Sequence, residues 1–275
     1  MPATFVVVPQ WQGSGSSRAM RLVDGAEAIR GDLPAASTIT VDVPLEAGDE
    51  LGTGVARAGS LRLVRERTLE ALAHVEGPAI AIGGDCGIAL AAVEHAIQRT
   101  DGDVAVVWLD AHPDLNTPAT SPSGIFGGMV LRALTGDGAE GLVPVRPLPT
   151  SHLVLAGTRA FDDGENEFLA ATGIQPIGVD DLATPDALLA AIAAKGASQV
   201  YLHIDLDVLD PAEISGLSAP QPFGISAATL VALIRAVKAD YPMAGASLAA
   251  FAPASPEDAV DDMGMLLRVI GALSA

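Results

Sequence analysis

Two short segments restrict this chain more than anything else in it: VAVVWLDAHPD at 104–114 and QVYLHIDLDVLD at 199–210, each an apolar run that ends abruptly in acids. Continuous β-branched runs of this length suit strands buried on both faces, as in a parallel sheet. Their acids then emerge at strand C-terminal ends, where open α/β sheets place ligands. Similar runs recur along the 275 residues: TFVVV, STITV, AIAIGG, LVLAG and ASLAAF. Amphipathic stretches between most of them predict helices at 17–30, 59–75, 88–98, 129–134, 185–194, 227–239 and 257–273. This alternation predicts a three-layer, doubly wound α/β fold with a mostly parallel sheet, formed by residues 1–275 as one domain. Segments 44–53 and 113–128, rich in Gly, Pro, Ser, Thr or acids, read as long functional loops.

Charge narrows the partners. Acids outnumber bases 34 to 15, for a formal charge of −19, and no basic cluster is present to grip a phosphate backbone, so nucleic acid is not expected. The favoured reading of this acidity is a solubilising surface; a negative potential would also attract a cationic substrate or metal ions. No apolar run reaches the roughly 18–20 residues of a membrane helix, so no membrane partner is expected. The N-terminal MPATFVVVPQ lacks a basic leader and reads as a first strand, not a signal peptide. Cys86, the single cysteine, precludes an intrachain disulfide and fits a reducing, cytoplasmic setting.

Asp110, His112 and Asp114 lie two residues apart, so an extended backbone would present all three on one side. Asp205 and Asp207 repeat the spacing, with Leu206 and Val208 directed into the core. Four converging carboxylates repel one another unless protons or cations intervene, and with an imidazole they form a donor set suited to two divalent cations. Each acid taken alone has the ordinary reading of a turn or cap former. Asp210, before Pro211, is expected to serve the turn. His203 could ligate on spacing alone; the favoured expectation is a neutral histidine bonded within the sheet or supporting a ligand.

Three ordered motifs, GGDCG at 83–87, DAHPD at 110–114 and DLDVLDP at 205–211, resemble those of the arginase family, the ureohydrolases that split guanidino compounds with two manganese ions. The resemblance spans roughly 79–253 and implies an arginase-like fold and a homo-oligomer. It implies that Asp110 and Asp205 bridge two metals, with Asp114 on one site and His112 and Asp207 on the other. A hydroxide between the metals would attack a small cationic guanidino substrate. Asn116 and Ser123 match positions that hold the substrate α-carboxylate, and Asp162 matches the one that meets its α-amino group.

Three departures fall at the centre. Cys86 stands where the family has its first metal-ligating histidine, and is read as a softer ligand, a nucleophile or a small buried residue. Gly127 replaces a histidine that assists proton transfer, and Ala250 replaces the glutamate that binds the guanidinium. Loss of the shuttle points towards an N-hydroxyguanidine, which needs less help, and so towards the hydroxyarginine-hydrolysing branch. A binuclear-metal amidinohydrolase releasing urea or hydroxyurea is therefore expected. The alternative is a noncatalytic or weakly active metal-binding protein of the same fold, with amide hydrolysis third.

Overall fold

A computed structural model describes residues 3–274. Seven strands form one sheet: β1 (Thr4–Val7), β2 (Thr38–Thr40), β3 (Ala79–Ile82), β4 (Val104–Leu109), β5 (Leu153–Ala156), β6 (Gln199–Asp205) and β7 (Met243–Ala249). Their order is β2-β1-β3-β7-β6-β4-β5, and every pairing is parallel. All seven apolar runs named from the sequence are strands.

The helices are α1 (Arg21–Gly31), α2 (Ala58–Leu72), α3 (Ile88–Arg99), α4 (Val130–Leu134), α5 (Asp163–Thr172), α6 (Asp186–Ala193), α7 (Ala227–Asp240) and α8 (Pro256–Ser274). They cover both faces of the sheet. Val6, Ala81, Val106 and Trp108 pack with α2, α3 and α4, while Val7, Ile82, Leu109, Leu202 and Ile204 pack with α1, α6, α7 and α8. Each such buried aliphatic side chain contributes roughly 1.5–3 kcal/mol, and this double-sided core is what holds a set of acids rigidly at its rim. No helix is long and apolar enough to cross a membrane among the described residues.

Helix α5 was not among the expected helices, and the reason is visible in its burial. Only Glu165 and Leu169 of its ten residues are buried, so DGENEFLAAT carries almost no apolar periodicity. Its start is set instead by Asp162, whose backbone N–H donates to Glu165 Oε2 at 2.8 Å.

The four central strands, β3, β7, β6 and β4, lie side by side. Just past or at their C-terminal ends come Asp85 and Cys86, Ala250, Asp205 and Asp207, and Asp110 to Asp114. The turn after β3 depends on glycine. Gly83 and Gly84 have φ of +99° and +62°, and a Cβ at Gly84 would lie 2.5 Å from Gln10 O.

Candidate metal centre and substrate cavity

Both acid segments converge, but not by the extended backbone that their spacing suggests. Strand β4 ends at Leu109, and Asp110 then folds the chain back by accepting from His112 N through Oδ1 at 2.6 Å. Asp114 has φ +51°, the left-handed region that Asp tolerates better than most residues. Likewise β6 ends at Asp205, residues Leu206–Val208 form a 3₁₀ turn, and Asp205 Oδ1 accepts from Asp207 N at 2.8 Å. Side-chain capping of tight turns, rather than period-two alternation, brings these carboxylates together.

The cluster is held from several directions. Trp108 Nε1 donates to Asp110 Oδ2 at 3.1 Å, and Ala111 N donates to Asp207 Oδ1 at 3.0 Å. His112 Nδ1 lies 2.9 Å from Asp207 Oδ2 and 3.6 Å from Asp110 Oδ1. Cys86 Sγ donates to Asp205 Oδ2 at 2.8 Å, with Asp110 Oδ2 at 3.9 Å. Asp114 is buried and its Oδ2 has no hydrogen-bond partner among the described residues. One ligand atom each from Asp110, His112 and Asp207 lie within 4.8 Å of one another, and so do one each from Cys86, Asp110 and His203.

Electrostatics here are severe. No lysine or arginine among the described residues forms an ion pair with Asp110, Asp114, Asp205 or Asp207. Burial, then repulsion from Asp207, pushes Asp110 up to about 7. Burial and neighbouring carboxylates raise Asp205 and Asp114 well above the usual range. Burial disfavours the His112 imidazolium, yet Asp110 and Asp207 outweigh it and carry its pKa up to about 12. Burial also opposes ionisation of Asp207, but the His112 contact prevails and lowers its pKa. Burial and three aspartates keep Cys86 a thiol.

These groups form the floor of a cavity of about 480 Å³. Ser123 and Asp162 line it, as do Phe161, Ile125, Ala219 and Ala250. Asn116 is buried, donating through Nδ2 to Asp162 Oδ2 at 2.7 Å and accepting from Thr120 Oγ1 at 2.9 Å. Gly127 also lines the cavity, and a Cβ there would sit 2.9 Å from Gly13 O, so the backbone leaves no room for a side chain without moving. Ala250 has φ +71°, a strained conformation for a residue with a Cβ, fixed by its N–H donating to Gly84 O at 2.8 Å.

Several supporting residues carry no local sequence signal. Gln10 Nε2 donates to Asp85 Oδ1 across 75 positions, while Asp85 also accepts from Gly13 and Gly87 N; burial raises Asp85 to about 6. Glu165 accepts from Leu115 N at 3.0 Å. Arg159 donates to the carbonyls of Asp207, Gln221 and Pro222 at 2.7–2.9 Å, tying the turn after β6 to the loop at the cavity edge. Gln221 Nε2 lies 3.3 Å from His112 Nε2. Asp210 serves its turn, accepting from Ala212, Phe223 and Gly224 N.

Comparison with known proteins agrees with this architecture. The arginase of Entamoeba histolytica, solved with L-ornithine, superposes with a TM-score of 0.86 at 23% identity, covering 98% of this chain and 97% of that one. An Nω-hydroxy-L-arginine amidinohydrolase of Streptomyces lavendulae is 29% identical over 264 residues, 94% of this chain and 90% of that protein. Bacillus caldovelox arginase is 31% identical over 201 residues, 67% of each chain. A family model described as the arginase family matches residues 17–266. With that match spanning nearly the whole sheet and every acid of the cluster, the chain belongs to the arginase family.

Proposed function

We propose that the chain is a binuclear-metal amidinohydrolase cleaving a carbon–nitrogen bond of a guanidino or hydroxyguanidino acid, arginine or Nω-hydroxy-arginine, with release of urea or hydroxyurea. The observation that carries this reading is four buried carboxylates meeting under one cavity with no lysine or arginine among the described residues paired to them. The unpartnered Asp114 Oδ2 and the oxygen-rich donor set fit divalent cations, manganese above all. Asp110 and Asp205 would be shared, with Cys86 and Asp114 on one side and His112 and Asp207 on the other. Cations bound there would lower the pKa of coordinated water and polarise the guanidino carbon.

The chain's own groups account for the remainder. Trp108, Ala111 and the turn amides orient the carboxylates, so little reorganisation accompanies substrate binding. Ser123 and Asp162 would meet the α-carboxylate and α-amino ends of an amino acid, with Asn116 positioning Asp162. Ala250 leaves the guanidino end an apolar wall, and Gly127 leaves it no imidazole. Both favour an N-hydroxyguanidine, which is less basic than a guanidinium and needs neither a full carboxylate partner nor a strong proton shuttle. The Streptomyces lavendulae relative, named for Nω-hydroxy-L-arginine, supports this choice. A lone buried cysteine suits a cytoplasmic protein, and family resemblance suits a homo-oligomer.

Metal analysis together with turnover on a guanidino panel tests the proposal. Close to two ions per chain, urea or hydroxyurea released from arginine or Nω-hydroxy-arginine, and abolition by Asp205→Ala are expected. Metal without any product would favour the noncatalytic alternative, to which Cys86, Gly127 and Ala250 point.

A further inference from the structure

Trp108, His203 and Ser247 stand side by side in register on β4, β6 and β7, on the face of the sheet that carries α3. Cys86 lies just before the start of that helix. His203 is fully buried, its ring stacked on Trp108 with centroids 3.6 Å apart, and its Nδ1 is 2.7 Å from Ser247 Oγ. Its other nitrogen, Nε2, is buried without a hydrogen-bond partner among the described residues. An orphaned ring nitrogen in a fully buried setting is costly, whereas one nitrogen anchored and the other bare is how metal-ligating histidines are held.

From this geometry we infer that His203 is a metal ligand: its Nε2, with Cys86 and Asp110, holds a zinc-class transition-metal ion on the Cys86 side of the centre. One ligand atom from each of the three already lies within 4.8 Å of the others, a spread that bonds of about 2.0–2.3 Å can close with small side-chain shifts. Trp108 serves two of them, bonding Asp110 through Nε1 and carrying the His203 ring on its face. The imidazole absent from position 86 is thereby supplied from β6, inside the sheet. On binding, Cys86 gives up its thiol proton to solvent and ligates as thiolate. A sulfur and an imidazole prefer zinc or cobalt to manganese, so the Cys86 side departs from the manganese proposed for the centre, which is kept for the His112 side. The inference rests on the acid cluster being a metal centre but does not require turnover.

Cobalt(II) titration of the metal-free full chain tests it by absorption. Wild type is expected to show a thiolate-to-cobalt charge-transfer band in the near ultraviolet, absent in Cys86→Ser, and His203→Gln is expected to weaken that band's cobalt affinity about 10- to 100-fold. Ser247→Ala, which frees Nδ1 without touching a ligand, should weaken it less. Because His203→Gln could fail to fold, zinc-loaded wild type labelled with ¹⁵N-histidine provides a second measurement, in which the His203 Nε2 resonance must move on metal addition. Cobalt binding without a thiolate band, or an unmoved Nε2 resonance, overturns the inference while leaving the metal centre standing. Failure of any cobalt to bind sinks both.

Discussion

The two sides of Asp110 satisfy their charges differently. On one side His112 pairs with Asp207 at 2.9 Å, and Gln221 and the Ala111 amide complete the network. On the other side Cys86 faces Asp205, and neither Asp114 Oδ2 nor His203 Nε2 has a hydrogen-bond partner among the described residues. The first side carries an internal ion pair that a bound cation would have to displace; the second offers donors without such a pair. Metal affinity in this chain should therefore be read side by side, and not as one property of a symmetric cluster.

Removing Asp110, the donor common to both sides, is the most severe way to break that contrast. Asp110→Ala should lose both ions by elemental analysis and lower turnover by about 10³-fold; one ion retained at wild-type affinity would mean the sides do not share it. Asp207→Asn is more selective. It should lower affinity on the His112 side about a hundredfold while the Cys86 side keeps its ion, resolved as two phases in a calorimetric titration.

The pH dependence of the metal-free protein sharpens the comparison with the smallest effect. Asp110, at about 7 in the folded chain against 3.8 unfolded, favours the native state at low pH and loses that contribution as pH rises through 7. Asp85, at about 6, acts in the same direction, and so does His112, whose contribution present below 6.5 fades only towards 12. Urea unfolding of the metal-free chain should thus show stability falling by on the order of 2 kcal/mol from pH 5 to pH 7. Added divalent cation should flatten that slope; a metal-free chain that gains stability over this range would contradict the charge balance described.

Much of this architecture was legible because it is local. Uninterrupted apolar runs such as VAVVWL cannot face water on either side, so strands and parallel packing followed from the residues themselves. The chemistry-bearing acids are likewise visible, yet they do not meet by alternation along an extended chain, because Asp110 and Asp205 bend the backbone with their own side chains. Helix α5 escaped because its contact with the body rests on two buried residues. His203 was expected to bond within the sheet, and it does so through Nδ1; that its second nitrogen is bare depends on three strands coming into register, which no single segment encodes. Gln10 and Asp85 meet across the fold for the same reason.

Arg159 has a mechanical consequence. One guanidinium fastens the Asp207 carbonyl to those of Gln221 and Pro222, so the backbone of a residue on the cavity floor and the 221–222 segment are clamped to a common post. Displacing residues 221–222 would therefore strain the same guanidinium that steadies the turn carrying Asp207.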